Sequence, residues 1–168
     1  MPSLFVLGGA RSGKSRYAQQ RAEATGLSPL YIATAQAWDD EMRDRIRLHQ
    51  DERGHAWSTI EVPLALAEAI RRHDTPDVAL LVDCLTLWVT NLLLSDHDIE
   101  AATASLTNAV ASARGHVILV SNEVGLGIVP ENALARRFRD EAGKVNQRVA
   151  AAASEVQFIA AGLNIRIK

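Results

Sequence analysis

Apolar residues along this chain gather into short, β-branched runs at residues 4–7, 30–33, 78–82, 117–120 and 156–160. The runs are too continuous for strands with one wet face, so they predict buried parallel strands. Longer stretches between them carry helical character, at 14–25, 40–53, 64–73, 85–94, 99–113 and 132–154. Strand alternating with helix predicts an α/β fold, a mainly parallel central sheet flanked by helices in three layers. The tail at 164–168 follows Gly162, and Gly162 with Asn164 favours a tight turn that brings the tail back as a sixth, antiparallel strand. No repeat, low-complexity tract or linker interrupts the pattern, so one domain over residues 1–168 is expected.

Composition narrows the class without changing the fold. A chain of 168 residues can bury a core without disulfides or a structural metal. Its 48% hydrophobic and 23% charged content is that of a soluble protein, and a net charge of -2 gives no general attraction for nucleic acid. The single cysteine, Cys84, cannot form an intramolecular disulfide, follows an apolar run and reads as a small core residue. The opening MPSLFVLGG lacks a basic segment, and its apolar run stops at glycines. The most apolar stretch, 85–94, is too short to span a bilayer and contains Thr86, Thr90 and Asn91. A cytoplasmic protein without a membrane span is expected.

The first strand is followed at once by GGARSGKS, and this is where the chemistry begins. Gly8, Gly9, Ala10, Arg11, Ser12, Gly13, Lys14 and Ser15 match the P-loop pattern, so the expected fold is the P-loop NTPase type. In such a loop backbone N–H groups close around phosphate oxygens, a lysine neutralises the β/γ charge, and the next hydroxyl ligates magnesium. Lys14 is therefore a catalytic candidate and Ser15 a metal ligand. The helix starting near Lys14 turns its positive end to the same phosphates. A second oxygen ligand is expected from a carboxylate closing a neighbouring buried strand, and the run 78–82 ends in Asp83. Asp83 also suits the cap of the helix that follows, and one aspartate can do both jobs.

A further helix is announced by Asp39 and Asp40 and closed by Gly54. On it Met42, Ile46, His49 and Arg53 share one stripe, expected to pack toward the protein. By pattern alone, His49 reads as a hydrogen-bonded structural residue, and the arginines as a solvated, ion-paired face. His55, His73, His97 and His116 form no zinc-like spacing with Cys84 and receive no role.

Three long segments give the sequence a resemblance. They are GGARSGKSRYAQ at 8–19, YIATAQAWDDEMRDRIRLHQDER at 31–53 and SNEVGLGIVPENALARRFRDEAGKVNQRVAAAASEV at 121–156. Together with VDCLTLWVTNLL at 82–93, they resemble the bifunctional adenosylcobinamide kinase/adenosylcobinamide-phosphate guanylyltransferase family of cobalamin biosynthesis. The resemblance implies phosphorylation of adenosylcobinamide with ATP or GTP, then transfer of GMP from GTP through a histidine-GMP intermediate. It places that nucleophile on His49. It also implies GTP contacts from the P-loop, Thr34, Ala35, Gln36, Gln50, Asp51, Glu52, Arg53, Glu61 and Asp83, with Mg2+ on Ser15 and Asp83. Adenosylcobinamide and its phosphate are the implied substrates, and a homo-oligomer, plausibly a trimer, the implied assembly.

Two other classes fit the P-loop alone. A kinase of another small metabolite would show no covalent GMP step. A GTP-dependent switch or nucleic-acid-bound ATPase would need a guanine-reading Asn-Lys-x-Asp segment, where this chain has Ser121-Asn122-Glu123-Val124, or a basic stripe, which it lacks.

Overall fold

The structure is a computed structural model that describes residues 2–36 and 39–168. The chain runs through β1 (Ser3–Gly8), α1 (Lys14–Glu23), β2 (Ser28–Ala33), α2 (Asp40–Arg53), β3 (Ser58–Glu61), α3 (Leu66–His73) and β4 (Val78–Asp83). It continues with α4 (Leu85–Leu94), α5 (Ile99–Ala111), β5 (His116–Asn122), α6 (Ala133–Ala152), β6 (Glu155–Ala160) and β7 (Leu163–Arg166). The strands form one sheet in the order β3-β2-β4-β5-β1-β6-β7, parallel throughout except for the antiparallel pairing of β7 on β6.

Alternation along the central strands builds the two outer layers. Phe5 on β1, Leu80 and Val82 on β4, and Val117 and Leu119 on β5 enter one core with residues of α3, α4, α5 and α6. Leu4 and Val6, Ala79 and Leu81, and Ile118 and Val120 point the other way, where Ala18 and Ala22 of α1 cover them. Each side of the sheet is therefore dry, which is why these runs read as continuous apolar segments. Small residues on α1 let that helix lie close to the strands.

A buried carboxylate ties the bottom of this arrangement together. Asp74, at the end of α3, accepts from the backbone N–H of Arg114 at 2.8 and 2.9 Å and of Gly115 at 2.7 Å, just before β5. Gly115 is required there, since a Cβ would lie 2.3 Å from the Thr75 carbonyl oxygen. At the far edge, Ala161 and Gly162 both have positive φ and make the two-residue turn between β6 and β7. The expected antiparallel tail strand is thus present, and it is the seventh because β3 was not foreseen.

Two expectations need correcting. The stripe of Met42, Ile46, His49 and Arg53 does not enter the core, for α2 has no fully buried residue and His49 is exposed. Its apolar content is too low to compete for the sheet faces. Nor does the strand carrying Asp83 adjoin the strand carrying the P-loop, because β5 lies between β4 and β1. The crossover from β4 through α4 and α5 returns the chain into that slot, an outcome that local pattern cannot specify.

Candidate nucleotide site

The P-loop leaves β1 at Gly8 under close constraint from its neighbours. A Cβ on Gly8 would meet the Ile159 carbonyl oxygen of β6 and Ser12 Oγ, each at 2.6 Å. The Glu123 N–H donates to the Gly8 carbonyl at 2.9 Å, and the Gly162 N–H donates to the Ser12 carbonyl at 2.8 Å. The loop is held from one side by the exit of β5 and from the other by the β6–β7 turn. Gly13 takes a φ of 93° at the start of α1 and makes no side-chain cap, so the first-turn N–H groups face the loop without a side-chain acceptor. Arg11 also has a positive φ, 53°. Lys14 Nζ donates back to the Gly9 carbonyl at 3.2 Å, which holds its charge across the loop.

Beside this loop lies a pocket of about 300 Å³ lined by Ser15 and Gln19 of α1, Tyr31, Ala33 and Ala35 from β2 and its exit, Ile46, His49 and Arg53 of α2, Asp83, and Leu87 of α4. It sits at the carboxyl ends of the strands, where open α/β sheets bind ligands. The half-exposed stripe of α2 forms its roof. Asp39 caps that helix by accepting from the Met42 N–H at 2.8 Å, and Gly54 ends it with a φ of 81°. His49 Nδ1 lies 3.5 Å from Glu52 Oε2. One turn on, the Arg53 guanidinium lies over the Tyr31 ring with its carbon 3.6 Å from the centroid. Trp57 meets the same ring edge-on at 6.3 Å between centroids.

Opposing charges meet at Tyr31, where the Arg53 cation favours the phenolate but burial and Asp83 outweigh it. Burial first, and then the neighbouring Asp83 carboxylate, push the Tyr31 phenol well above its ordinary range, so it stays protonated. Burial and Asp83 likewise raise the Cys84 thiol, which is buried as expected and is no reactive thiolate. Thr34 is fully buried, and its hydroxyl donates to the Cys84 carbonyl at 2.7 Å while accepting from the Cys84 N–H at 2.9 Å. Its side chain locks the ends of β2 and β4 together. Its backbone is engaged as well, the N–H donating to the Asp83 carbonyl at 3.2 Å and the carbonyl accepting from Asn91 Nδ2 at 2.8 Å, so the structure does not present the expected nucleotide contact at Thr34 to the pocket.

The structure brings together Ser15, Ala35, His49, Arg53 and Asp83 from four separate stretches of chain. Gln36 continues from Ala35 and is half-buried, as is Gln50, while Asp51 and Glu52 are exposed on α2. Glu61 closes β3 and lines a different cavity, of about 410 Å³, with Arg72 and His73. Sequence reasoning missed Tyr31, Gln19 and Leu87. The signal for Tyr31 was present, since Tyr31, Ala33 and Ala35 alternate along one face while Ile32 and Thr34 are buried on the other.

A site for magnesium can be tested on the donor set. Ser15 and Asp83 offer one hydroxyl and one carboxylate in the same pocket. Among the described residues no cluster of three or more His, Cys, Asp or Glu side chains converges. A sparse set of hard oxygen donors fits an ion that keeps several waters and takes the rest of its shell from substrate phosphates. The residues present fit Mg2+. No helix among the described residues is long and apolar enough to cross a membrane.

Comparison with known proteins gives a consistent picture. The family described as cobinamide kinase / cobinamide phosphate guanyltransferase matches residues 4–167. The bifunctional adenosylcobalamin biosynthesis protein CobP of Pseudomonas aeruginosa is 48% identical over 166 residues, covering 98% of this chain and 96% of that protein. The corresponding CobU of Salmonella typhimurium is 44% identical over 182 residues, with 98% and 99% coverage. Among solved structures, the flagellar accessory protein FlaH from Methanocaldococcus jannaschii is similar with a TM-score of 0.55 at 14% identity, covering 99% of this chain and 78% of that one. A second solved structure, an ATPase domain, is similar with a TM-score of 0.54 at 11% identity, covering 94% and 68%. At such identities these two share the fold alone, and it is the P-loop NTPase fold expected from the sequence.

Proposed function

The chain belongs to the cobinamide kinase / cobinamide phosphate guanyltransferase family, and from that membership we propose that the pocket beneath α2 serves both of the family's reactions in turn. The protein is a nucleotide-using, bifunctional enzyme of adenosylcobalamin biosynthesis. It phosphorylates adenosylcobinamide and then joins a guanylyl group to that phosphate, giving adenosyl-GDP-cobinamide.

In the first reaction, ATP or GTP lies on the P-loop with its phosphates against the N-terminus of α1. The cobinamide hydroxyl oxygen bonds to the γ-phosphorus as the bond to the β-bridging oxygen breaks, and the hydroxyl proton leaves to Asp83 or water. Lys14 neutralises charge on the departing diphosphate. Ser15 and Asp83 would hold Mg2+, which supplies charge neutralisation across the phosphate oxygens.

In the second reaction His49 is the nucleophile. Its Nδ1 faces Glu52, which leaves Nε2 free to attack the α-phosphorus of GTP. The new bond is Nε2 to α-phosphorus, the bond broken runs from α-phosphorus to the bridging oxygen, and pyrophosphate leaves with its charge met by Lys14. The Nδ1 proton passes toward Glu52, giving a neutral phosphoramidate ring. A phosphate oxygen of the cobinamide phosphate then attacks the same phosphorus, and His49 leaves with its proton restored. The exposure of His49 serves this exchange, since donor and acceptor must reach it from solvent in turn.

The observation that carries the reading is the convergence of His49, Ser15 and Asp83 on one pocket. The same reading places the enzyme in the cytoplasm as a homo-oligomer, a trimer by family resemblance. Exposed Leu126, Ile128 and Val129, with Leu163 and Ile165 of β7, offer apolar surface for such contacts. GTP labelled on its α-phosphate tests the mechanism. The protein should take up label that survives denaturation and is released by acid, and Lys14→Ala should lose both activities. Undiminished label on His49→Ala would overturn the nucleophile assignment.

A further inference from the structure

One side-chain contact in the roof of the pocket, Arg53 on Tyr31, has no part in the two reactions as described above. Helix α2 contributes His49 to the site but no fully buried residue to a core. A helix so lightly attached needs a specific hold to keep a nucleophile aimed. Arg53 lies four residues after His49, on the same face, and its guanidinium rests 3.6 Å above the centre of the Tyr31 ring. Trp57 braces that ring edge-on, and Trp57 Nε1 is itself fixed by donating to Glu23 at 3.1 Å. A chain of contacts therefore runs from α1 through Trp57 and Tyr31 to Arg53, one turn from His49.

Arg53 carries a second mark. Its Nε is buried and has no hydrogen-bond partner among the described residues. A buried guanidinium N–H without an acceptor is costly unless a ligand supplies one. Held flat on the ring, the guanidinium has its face occupied, so only its edge donors remain for a partner in the pocket shared with Ser15 and Asp83. A phosphate oxygen is the acceptor that fits.

From this geometry we infer that Tyr31 is a positioning residue for guanylyl transfer: its ring, acting as a cation–π platform, holds Arg53 so that the guanidinium edge meets the nucleotide phosphate while His49, one turn earlier, faces the phosphorus it attacks. The inference rests on the reading of His49 as nucleophile. The phenol hydroxyl is not needed for this role, since the ring face makes the contact. Stacking of this kind, partly shielded from water, corresponds to about a tenfold effect when lost.

The test compares Tyr31→Phe, Tyr31→Leu, Arg53→Met and the Leu/Met double variant in the full-length enzyme. It reads the rate of histidine labelling from α-labelled GTP, the kcat of the kinase step and the GTP dissociation constant. Tyr31→Leu should slow labelling about tenfold more than it slows the kinase step, Tyr31→Phe should restore labelling to within about threefold of the parent, and the double variant should be no worse than Arg53→Met alone. Labelling in Tyr31→Leu at the parental rate would overturn the inference. So would equal damage from phenylalanine and leucine, or additive losses in the double variant. If Tyr31→Leu melts early, Arg53→Lys on exposed α2 keeps the charge, loses the planar stack and should reproduce the labelling defect. Should the parent enzyme itself take no label, the His49 reading fails, and the Tyr31–Arg53 coupling is then decided by the GTP dissociation constants of the same four proteins.

Discussion

Replacing Gly8 by alanine is expected to damage the enzyme through geometry rather than chemistry. The added Cβ would sit 2.6 Å from the Ile159 carbonyl oxygen and 2.6 Å from Ser12 Oγ. Ordinary carbon–oxygen contact needs roughly 3.2 Å or more, so β1 or β6 must move by about half an ångström in a close-packed sheet. Overpacking of that size costs about 1–3 kcal/mol, which for a chain of this length lowers Tm by roughly 2–12 °C. Gly9→Ala is the control, because a Cβ there meets nothing within 4 Å and its melting point should match the parent's. Ser12→Ala separates the two clashes. Ser12 Oγ is buried and has no hydrogen-bond partner among the described residues, so its removal alone should cost little. In combination with Gly8→Ala it should recover part of the loss and leave the part due to the Ile159 carbonyl. Calorimetry or circular dichroism melts, with nucleotide titration beside them, provide the assay. A Gly8→Ala protein that melts with the parent and binds nucleotide normally would refute the claim that the loop's entry is fixed by strand contact.

Two further outcomes follow from the scaffold. Asp74→Ala strands the buried N–H groups of Arg114 and Gly115 and should cost about 3 kcal/mol or more in urea unfolding, whereas Asp74→Asn keeps one acceptor oxygen and should cost about half as much. Glu155 pairs with Arg21 through two 2.8 Å hydrogen bonds, and that partner first of all holds its carboxyl down at about 2, below the ordinary 4.5. A depressed folded value means the pair stabilises the protein fully above about pH 4.5 and loses that contribution as pH falls toward 2. Because both side chains are partly exposed, the contribution is about 1 kcal/mol, and Arg21→Met should remove it at pH 7 while changing stability much less near pH 2.

Much of this molecule was legible in the sequence because its strands are buried on both faces. Runs such as 78–82 are apolar at every position since each neighbour, front and back, is dry. Strand β3 escaped for the opposite reason: Ser58–Glu61 is a short edge strand paired only with β2, its two outer residues are exposed, and a single Ile60 gives no run to read. The P-loop was readable because Gly8 is demanded by close contact and Gly13 by a positive φ, but the order of the strands was not, since crossovers through helices decide it. The stripe on α2 showed which residues share a face. It did not show that the face looks into a cavity instead of a core, because a half-buried helix roof and a weak surface helix have the same spacing. Tyr31 was hidden in plain alternation, an aromatic residue taken for core because it stood in an apolar strand.

The placement of β5 between the strand of the P-loop and the strand of Asp83 has a consequence beyond topology. Strand spacing in a sheet is nearly constant, so the two strand ends are two steps, roughly 10 Å, apart. That interval is a fixed gauge, set by backbone hydrogen bonds and indifferent to side-chain change. Mutation can alter what lines the track between them, but its width is not adjustable. In the proposed reading, where two nucleotide reactions share one bed, the enzyme gains from having at least one dimension that selection on either reaction cannot disturb.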